Sequence, residues 1–245
     1  MTWLRSAAFN LWFFGLTFVM CLFVPLAWAG GERAVLRYAR IWVRLVLAGL
    51  RVLCGITWQV TGIEHLPHDG PALIAAMHQS AFDALVWAVL APRFAYVLKR
   101  ELTRIPLFGP TLLRGGMIAI DRRAGPAAMR ELLRAADHAL ATRRQVVIFP
   151  EGTRAAPGER LPLQPGIAAL AARMKLPVIP VVTDSGEHWG RRAFRKRPGV
   201  IRIAILPPLP AGLRRDELLA RLAAVFSTGL AGDVDNSVGE VSGGF

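Results

Sequence analysis

Residues 6–29 carry no formal charge, and as a helix this run would reach ~36 Å, enough to cross a ~30 Å hydrocarbon layer. So apolar a segment in this 245-residue chain is a candidate membrane helix. A cleaved leader is the competing reading. Arg5 supplies a positive start and Ala27-Trp28-Ala29 before Gly30 has the small-x-small form of a cleavage site, although the apolar run exceeds the usual ~7 to 15 residue core of such a leader. Arg33, Arg37, Arg40 and Arg44 follow, and positive charge beside a span favours the cytoplasmic side. The expectation is an inner or cell membrane protein whose remaining domain lies on that side.

The next apolar stretch, 35–53, behaves differently. At ~100° per residue Arg33, Arg37, Arg40, Arg44 and Arg51 fall within an arc of roughly 60°. Spanning would bury several arginines at ~2.5 to 3.5 kcal/mol each, so this helix is expected to lie in the interface, with its stripe toward lipid phosphates. A solvated face of a helix packed on the domain is the alternative.

Lys and Arg total 30 against 17 Asp and Glu, a net +13, which suits an anionic partner such as a lipid headgroup layer, a phosphorylated substrate or nucleic acid. Cys21 and Cys54 both fall in the apolar N-terminal region, so neither a disulfide framework nor a cysteine metal site is indicated. Beyond residue 55, short apolar runs at 57–61, 72–77, 94–98, 117–120, 146–149, 178–182 and 200–206 read as strands. Helical patterns cover 81–90, 126–142, 166–174 and 213–226. This alternation predicts an α/β fold, a mixed and mainly parallel sheet flanked by helices, behind an N-terminal helical membrane-anchoring segment. The expected organisation is an anchor over 1–55, a catalytic domain over 56–226 and a mobile tail, poor in apolar residues, over 227–245.

Two clusters carry chemistry. The strand at 72–77 runs into His78-Gln79-Ser80-Ala81-Phe82-Asp83. An imidazole titrating near ~6.5 is mostly an unprotonated base at neutral pH, and a carboxylate on its far nitrogen would fix its tautomer. Ser80 followed by Asp83 also reads as a helix cap, which leaves His78 a loop residue. The strand at 146–149 leads into Pro150-Glu151-Gly152-Thr153-Arg154, where glycine permits close backbone approach and arginine offers a planar fork for phosphate oxygens. An ordinary turn with a solvated arginine accounts for the same residues.

Together, in this order, the clusters resemble those of the glycerolipid acyltransferases that include 1-acylglycerol-3-phosphate acyltransferases. Lys99-Arg100-Glu101-Leu102, Pro106, Gly109 and Gly115 through Arg122 resemble the family's second block, and Val178-Ile179-Pro180-Val181 its fourth. The likeness covers 62–182 and implies an α/β domain with a helical N-terminus that dips into the membrane. It implies His78 as general base and Asp83 as its orienting partner. It assigns Arg122 and Arg154 to the acceptor phosphate and Glu151, Gly152 and Thr153 to the acceptor-binding block. Lys99 faces the oxyanion or the donor's phosphates. The implied partners are acyl-CoA or acyl carrier protein as donor, a lysophospholipid acceptor and membrane lipids, with no cofactor, no metal and no nucleic acid.

One departure is Gln164 before Pro165-Gly166, where family members often carry a lysine. Its missing charge leaves open a different lyso-lipid acceptor, for example a lyso-ornithine-type lipid. A lipid or thioester hydrolase using the same His and Asp, or Ser80 as nucleophile, is a further alternative, weakened because no G-x-S-x-G elbow occurs. Outside enzymes, a non-catalytic basic membrane or nucleic-acid binder would use Arg191, Arg192, Arg195, Lys196 and Arg197, a run expected to be solvated or lipid-facing.

Overall fold

The computed structural model describes residues 1–232 and 241–242. Two helices, α1 (Thr2–Ala29) and α2 (Gly31–Gly49), are joined by a turn at Gly30, and a π-helical turn, Leu50–Cys54, leads into the sheet. Cross-links between Arg5 and Leu53, Trp12 and Leu45, Thr17 and Trp42, and Met20 and Tyr38 make the pair an antiparallel hairpin.

The strands are β1 (Ile56–Thr61), β2 (Ala72–Ala76), β3 (Phe94–Lys99), β4 (Ile118–Ile120), β5 (Gln145–Ile148), β6 (Val178–Thr183), β7 (Gly199–Ile205) and β8 (Val241–Ser242). They form one sheet in the order β4-β3-β5-β2-β6-β7-β1-β8. The five strands from β4 to β6 are mutually parallel, and so are β7 and β1, while β6 with β7 and β1 with β8 run antiparallel. The mixed, mainly parallel sheet expected from the sequence is therefore present.

Side chains alternate between two cores as strand geometry requires. Ala72, Ile74 and Ala76 of β2 join one core with α1, α2 and α3 (Phe82–Leu90). Leu73 and Ala75 face the other, with α5 (Pro126–Ala141), α6 (Gly166–Met174) and α8 (Arg215–Thr228). The hairpin thus shares its core with one face of the sheet.

Two buried cations pin it there. Arg144, 1% exposed, donates to the carbonyls of Phe94, Gly115 and Gly116 beside the sheet edge and pairs with Glu32 of α2 at 2.7 Å. Lys196, 3% exposed, donates to Asn10 of α1 and to the Phe194 carbonyl and lies 5.4 to 5.8 Å from the ring centroids of Phe9, Trp189 and Phe194. The basic run at 191–197 is consequently no uniform solvated patch, because this lysine anchors α1. The stripe on α2 is also broken. Arg40 turns onto the Ala88 and Pro92 carbonyls at the end of α3, whereas Arg33, Arg37, Arg44 and Arg51 stay exposed.

Beyond residue 55 element boundaries differ from the sequence expectations by at most two residues, whereas α1 starts four residues before the apolar run and α2 is displaced by four; α4 (Phe108–Arg114) and the short α7 (Ser185–His188) were not anticipated. Of the expected tail at 227–245, helix α8 continues to Thr228, a 3-10 turn spans Gly229–Gly232 and Val241–Ser242 pairs with β1. The rest of that stretch lies outside the described residues.

Candidate active site

β2 and β5 are parallel neighbours, so the loops leaving their C-terminal ends emerge side by side, the usual place for a ligand in such a sheet. From β2 comes His78. Its Nδ1 lies 3.3 Å from Asp83 Oδ2, and the same oxygen accepts the backbone N–H of Gln79 at 2.6 Å and of Ser80 at 2.7 Å. Asp83 stands in the first turn of α3 and is 4% exposed. The carboxylate therefore ties off the helix start and meets the imidazole at once, so the capping and catalytic readings of this segment describe one geometry.

From β5 comes the turn that holds His78 on its other sides. The Phe149 ring stacks on the imidazole with centroids 4.2 Å apart and planes 21° from parallel. The His78 backbone N–H donates to both oxygens of Glu151, at 3.1 and 3.2 Å, and its carbonyl accepts the Ala155 N–H at 2.8 Å. Gly152 has φ of 72°, and a Cβ there would stand 3.1 Å from Arg122 Nη1 and 3.2 Å from Gln164 Cγ. Arg122 donates to the Gly152 carbonyl. Glycine is thus required both for the turn and for the closeness of its neighbours.

His78, Phe149, Gly152, Thr153, Arg154, Arg122 and Lys99 line one cavity of about 510 Å³. Its other end is apolar, walled by Met20 and Val24 of α1, Leu36 and Val43 of α2, and Leu85 and Ala88 of α3. Of the sequence-picked residues, Asp83 sits behind the imidazole without lining the cavity, and two more stand apart from it. Glu151 does not line the cavity; at 6% exposure it serves the His78 backbone, rather than Arg154 or a ligand hydroxyl. Ser80 is fully buried, does not line the cavity, and accepts the Phe82 N–H on its Oγ, which removes it as a nucleophile. Conversely Arg191 and Arg192 do line the cavity. The signal available for them was only their charge, because nothing in the sequence places the loop after β6 beside the one after β5.

Burial, more than any other influence, pushes the Glu151 carboxyl from 4.5 up to about 8. Between those values the folded chain keeps a proton that the unfolded chain has released, so this group makes stability fall as pH rises through that window. Glu151→Gln keeps an oxygen for the His78 N–H and removes the titration. The expected result is a melting temperature that declines less than that of wild type between about pH 5 and pH 8. Parallel declines would show that the carboxyl does not titrate there.

The sequence model of the acyltransferase family matches residues 57–184. The chain belongs to the acyltransferase family. It is 35% identical over 170 residues to the 1-acyl-sn-glycerol-3-phosphate acyltransferase of Pseudomonas aeruginosa, covering 69% of this chain and 66% of that one. With the 1-acyl-sn-glycerol-3-phosphate acyltransferase alpha of Bos taurus it shares 33% over 181 residues, or 73% and 63% of the two chains. The matches thus span slightly less than two thirds of these relatives' length. The crystal structure of the 1-acyl-sn-glycerophosphate (LPA) acyltransferase from Thermotoga maritima superposes with a TM-score of 0.78 over 98% of this chain and 100% of that chain, at 21% identity. The fold is therefore common to both.

Proposed function

We propose that the chain transfers a fatty acyl group from a thioester carrier, acyl-CoA or acyl carrier protein, to the free hydroxyl of 1-acylglycerol-3-phosphate, giving phosphatidate. The observation that carries this reading is a single cavity with His78 at its polar end, Asp83 behind the imidazole, Arg122 and Arg154 beside it, and apolar walls beyond. That shape suits a phosphate joined to a hydrocarbon tail. The names of the relatives agree with it.

In the reaction, the acceptor hydroxyl attacks the thioester carbonyl while His78 Nε2 takes its proton. The tetrahedral oxyanion then collapses with expulsion of the carrier's thiolate, which is protonated as it leaves. Asp83, on Nδ1, stabilises the imidazolium that forms. Lys99 faces the oxyanion or the donor's phosphates. Asp83→Asn keeps the shape of the turn but not the charge, and is expected to lower kcat by up to about 10⁴-fold, read in a steady-state transfer assay. The reaction class is tested with labelled acyl thioester in the presence and absence of lyso-lipid. Labelled phosphatidate formed only with 1-acylglycerol-3-phosphate supports the proposal, whereas free acid formed without acceptor makes the protein a hydrolase, and a different acylated lipid reassigns the acceptor.

Membrane attachment through the hairpin is part of the same reading. α1 is long and apolar enough to cross a bilayer, yet the domain holds it at both ends. Ser6 accepts the Lys196 N–H, while Trp28 donates to Thr111 and lies under the Arg114 guanidinium at 4.3 Å. These ties are about 30 Å apart along the helix. A perpendicular span would draw the charged domain through the hydrocarbon, so the helix is read as lying along the surface, its exposed Leu11, Phe14, Phe18 and Leu22 in the acyl layer.

A further inference from the structure

The cavity is edged by five cationic side chains, Lys99, Arg122, Arg154, Arg191 and Arg192, and no carboxylate lines it among the described residues. Arg191 and Arg192 reach it from a loop that neither the family match nor the block pattern includes. The loop is a turn closed by the Ala193 N–H on the Gly190 carbonyl at 3.1 Å, with the two arginines at its centre. Arg192 has φ of 55°, at the turn position where a positive φ is ordinarily supplied by glycine or asparagine.

Both flanks of the turn are fixed. The Trp189 N–H bonds the Ser185 carbonyl and its ring packs edge-on against Phe9 at 5.4 Å. Beyond the turn, Lys196 is locked to α1 and the Arg197 N–H bonds the His188 carbonyl at 2.8 Å. Arg191 Nη1 also donates to the Arg154 carbonyl at 3.3 Å, joining this loop to the one after β5. Two guanidinium groups are thus presented to the cavity from a turn whose backbone is braced.

The geometry points to a second phosphate-binding subsite formed by Arg191 and Arg192. It rests on the proposed reaction, in which both substrates carry phosphate: the acceptor on its glycerol, the donor on its pantetheine arm. Arg122 and Arg154 are assigned to one such group in the proposed reaction and Gln164 brings no charge, so the added pair is assigned a phosphate ester from one of the two.

The test is a calorimetric titration of the detergent-solubilised full chain with 1-acylglycerol-3-phosphate and, separately, with coenzyme A. In Arg191→Gln/Arg192→Gln, a Kd raised about tenfold is expected for one of the two ligands, as lost charge-assisted bonds to phosphate require. A rise for the lyso-lipid makes this the acceptor's subsite, and a rise for coenzyme A makes it the donor's. Arg192→Gly suits the positive φ and removes the side chain without straining the backbone, so a weakened Kd there separates the lost side chain from a disturbed turn. Unchanged affinities in the double variant overturn the proposal, as does a loss of binding to phosphatidylglycerol vesicles as the only effect, which would make the arginines membrane contacts. Because the readout is binding, a wild-type protein that shows this phosphate dependence yet forms no acylated product defeats the proposed reaction and not the subsite.

Discussion

Replacing His78 by alanine is expected to lower kcat by about 10² to 10⁴, the usual contribution of a positioned general base, with no loss of sedimentation on vesicles. The separation follows from the architecture. His78 reaches the cavity from the end of β2, while membrane attachment is assigned to the hairpin on one face of the sheet. The imidazole makes its side-chain contacts with Asp83 and Phe149, and the alanine variant keeps the backbone bonds to Glu151 and Ala155. The turn should therefore survive the substitution. Transfer within about threefold of wild type in a single-turnover assay would refute the assignment of the base.

Gly116→Ala is expected to cost stability rather than chemistry, about 3 to 5 kcal/mol, from the left-handed backbone and the broken buried ion pair. Gly116 has φ of 74°, and a Cβ there would stand 2.3 Å from Arg144 Nη2. That guanidinium cannot simply swing aside, because three backbone carbonyls and Glu32 hold it. Moving it would leave a cation buried without partners and release α2 from the sheet edge. For a chain of this size the expected fall in melting temperature is about 10 °C or more. A fall under about 3 °C would mean that Arg144 relocates at small cost.

Alternating apolar runs in the sequence marked seven strands and four helices, since strand and helix periods differ enough to be seen in single segments. Neighbour relations were not visible in the same way. That His78 and Asp83 approach each other was readable, because five residues across a strand-to-helix turn leave few geometries. That Glu151 bonds the His78 backbone was not, since 73 residues separate them and only the parallel pairing of β2 with β5 brings them together. Charge was the least reliable guide. Arg191, Lys196 and Arg197 look alike in sequence, yet one edges the cavity, one is buried among three aromatic rings and one is exposed. Arg144 reads as a surface residue and is instead the cation that fastens the N-terminal hairpin.

The hairpin that walls the apolar end of the cavity is the element assigned here to the acyl layer. On the proposed reaction, a lyso-lipid would slide sideways from the leaflet between α1, α2 and α3 without its tail being solvated by water. What governs turnover is accordingly the mole fraction of lyso-lipid in the surface, not its bulk molarity. Diluting the leaflet with inert lipid, at constant total substrate, should slow the proposed transfer in proportion.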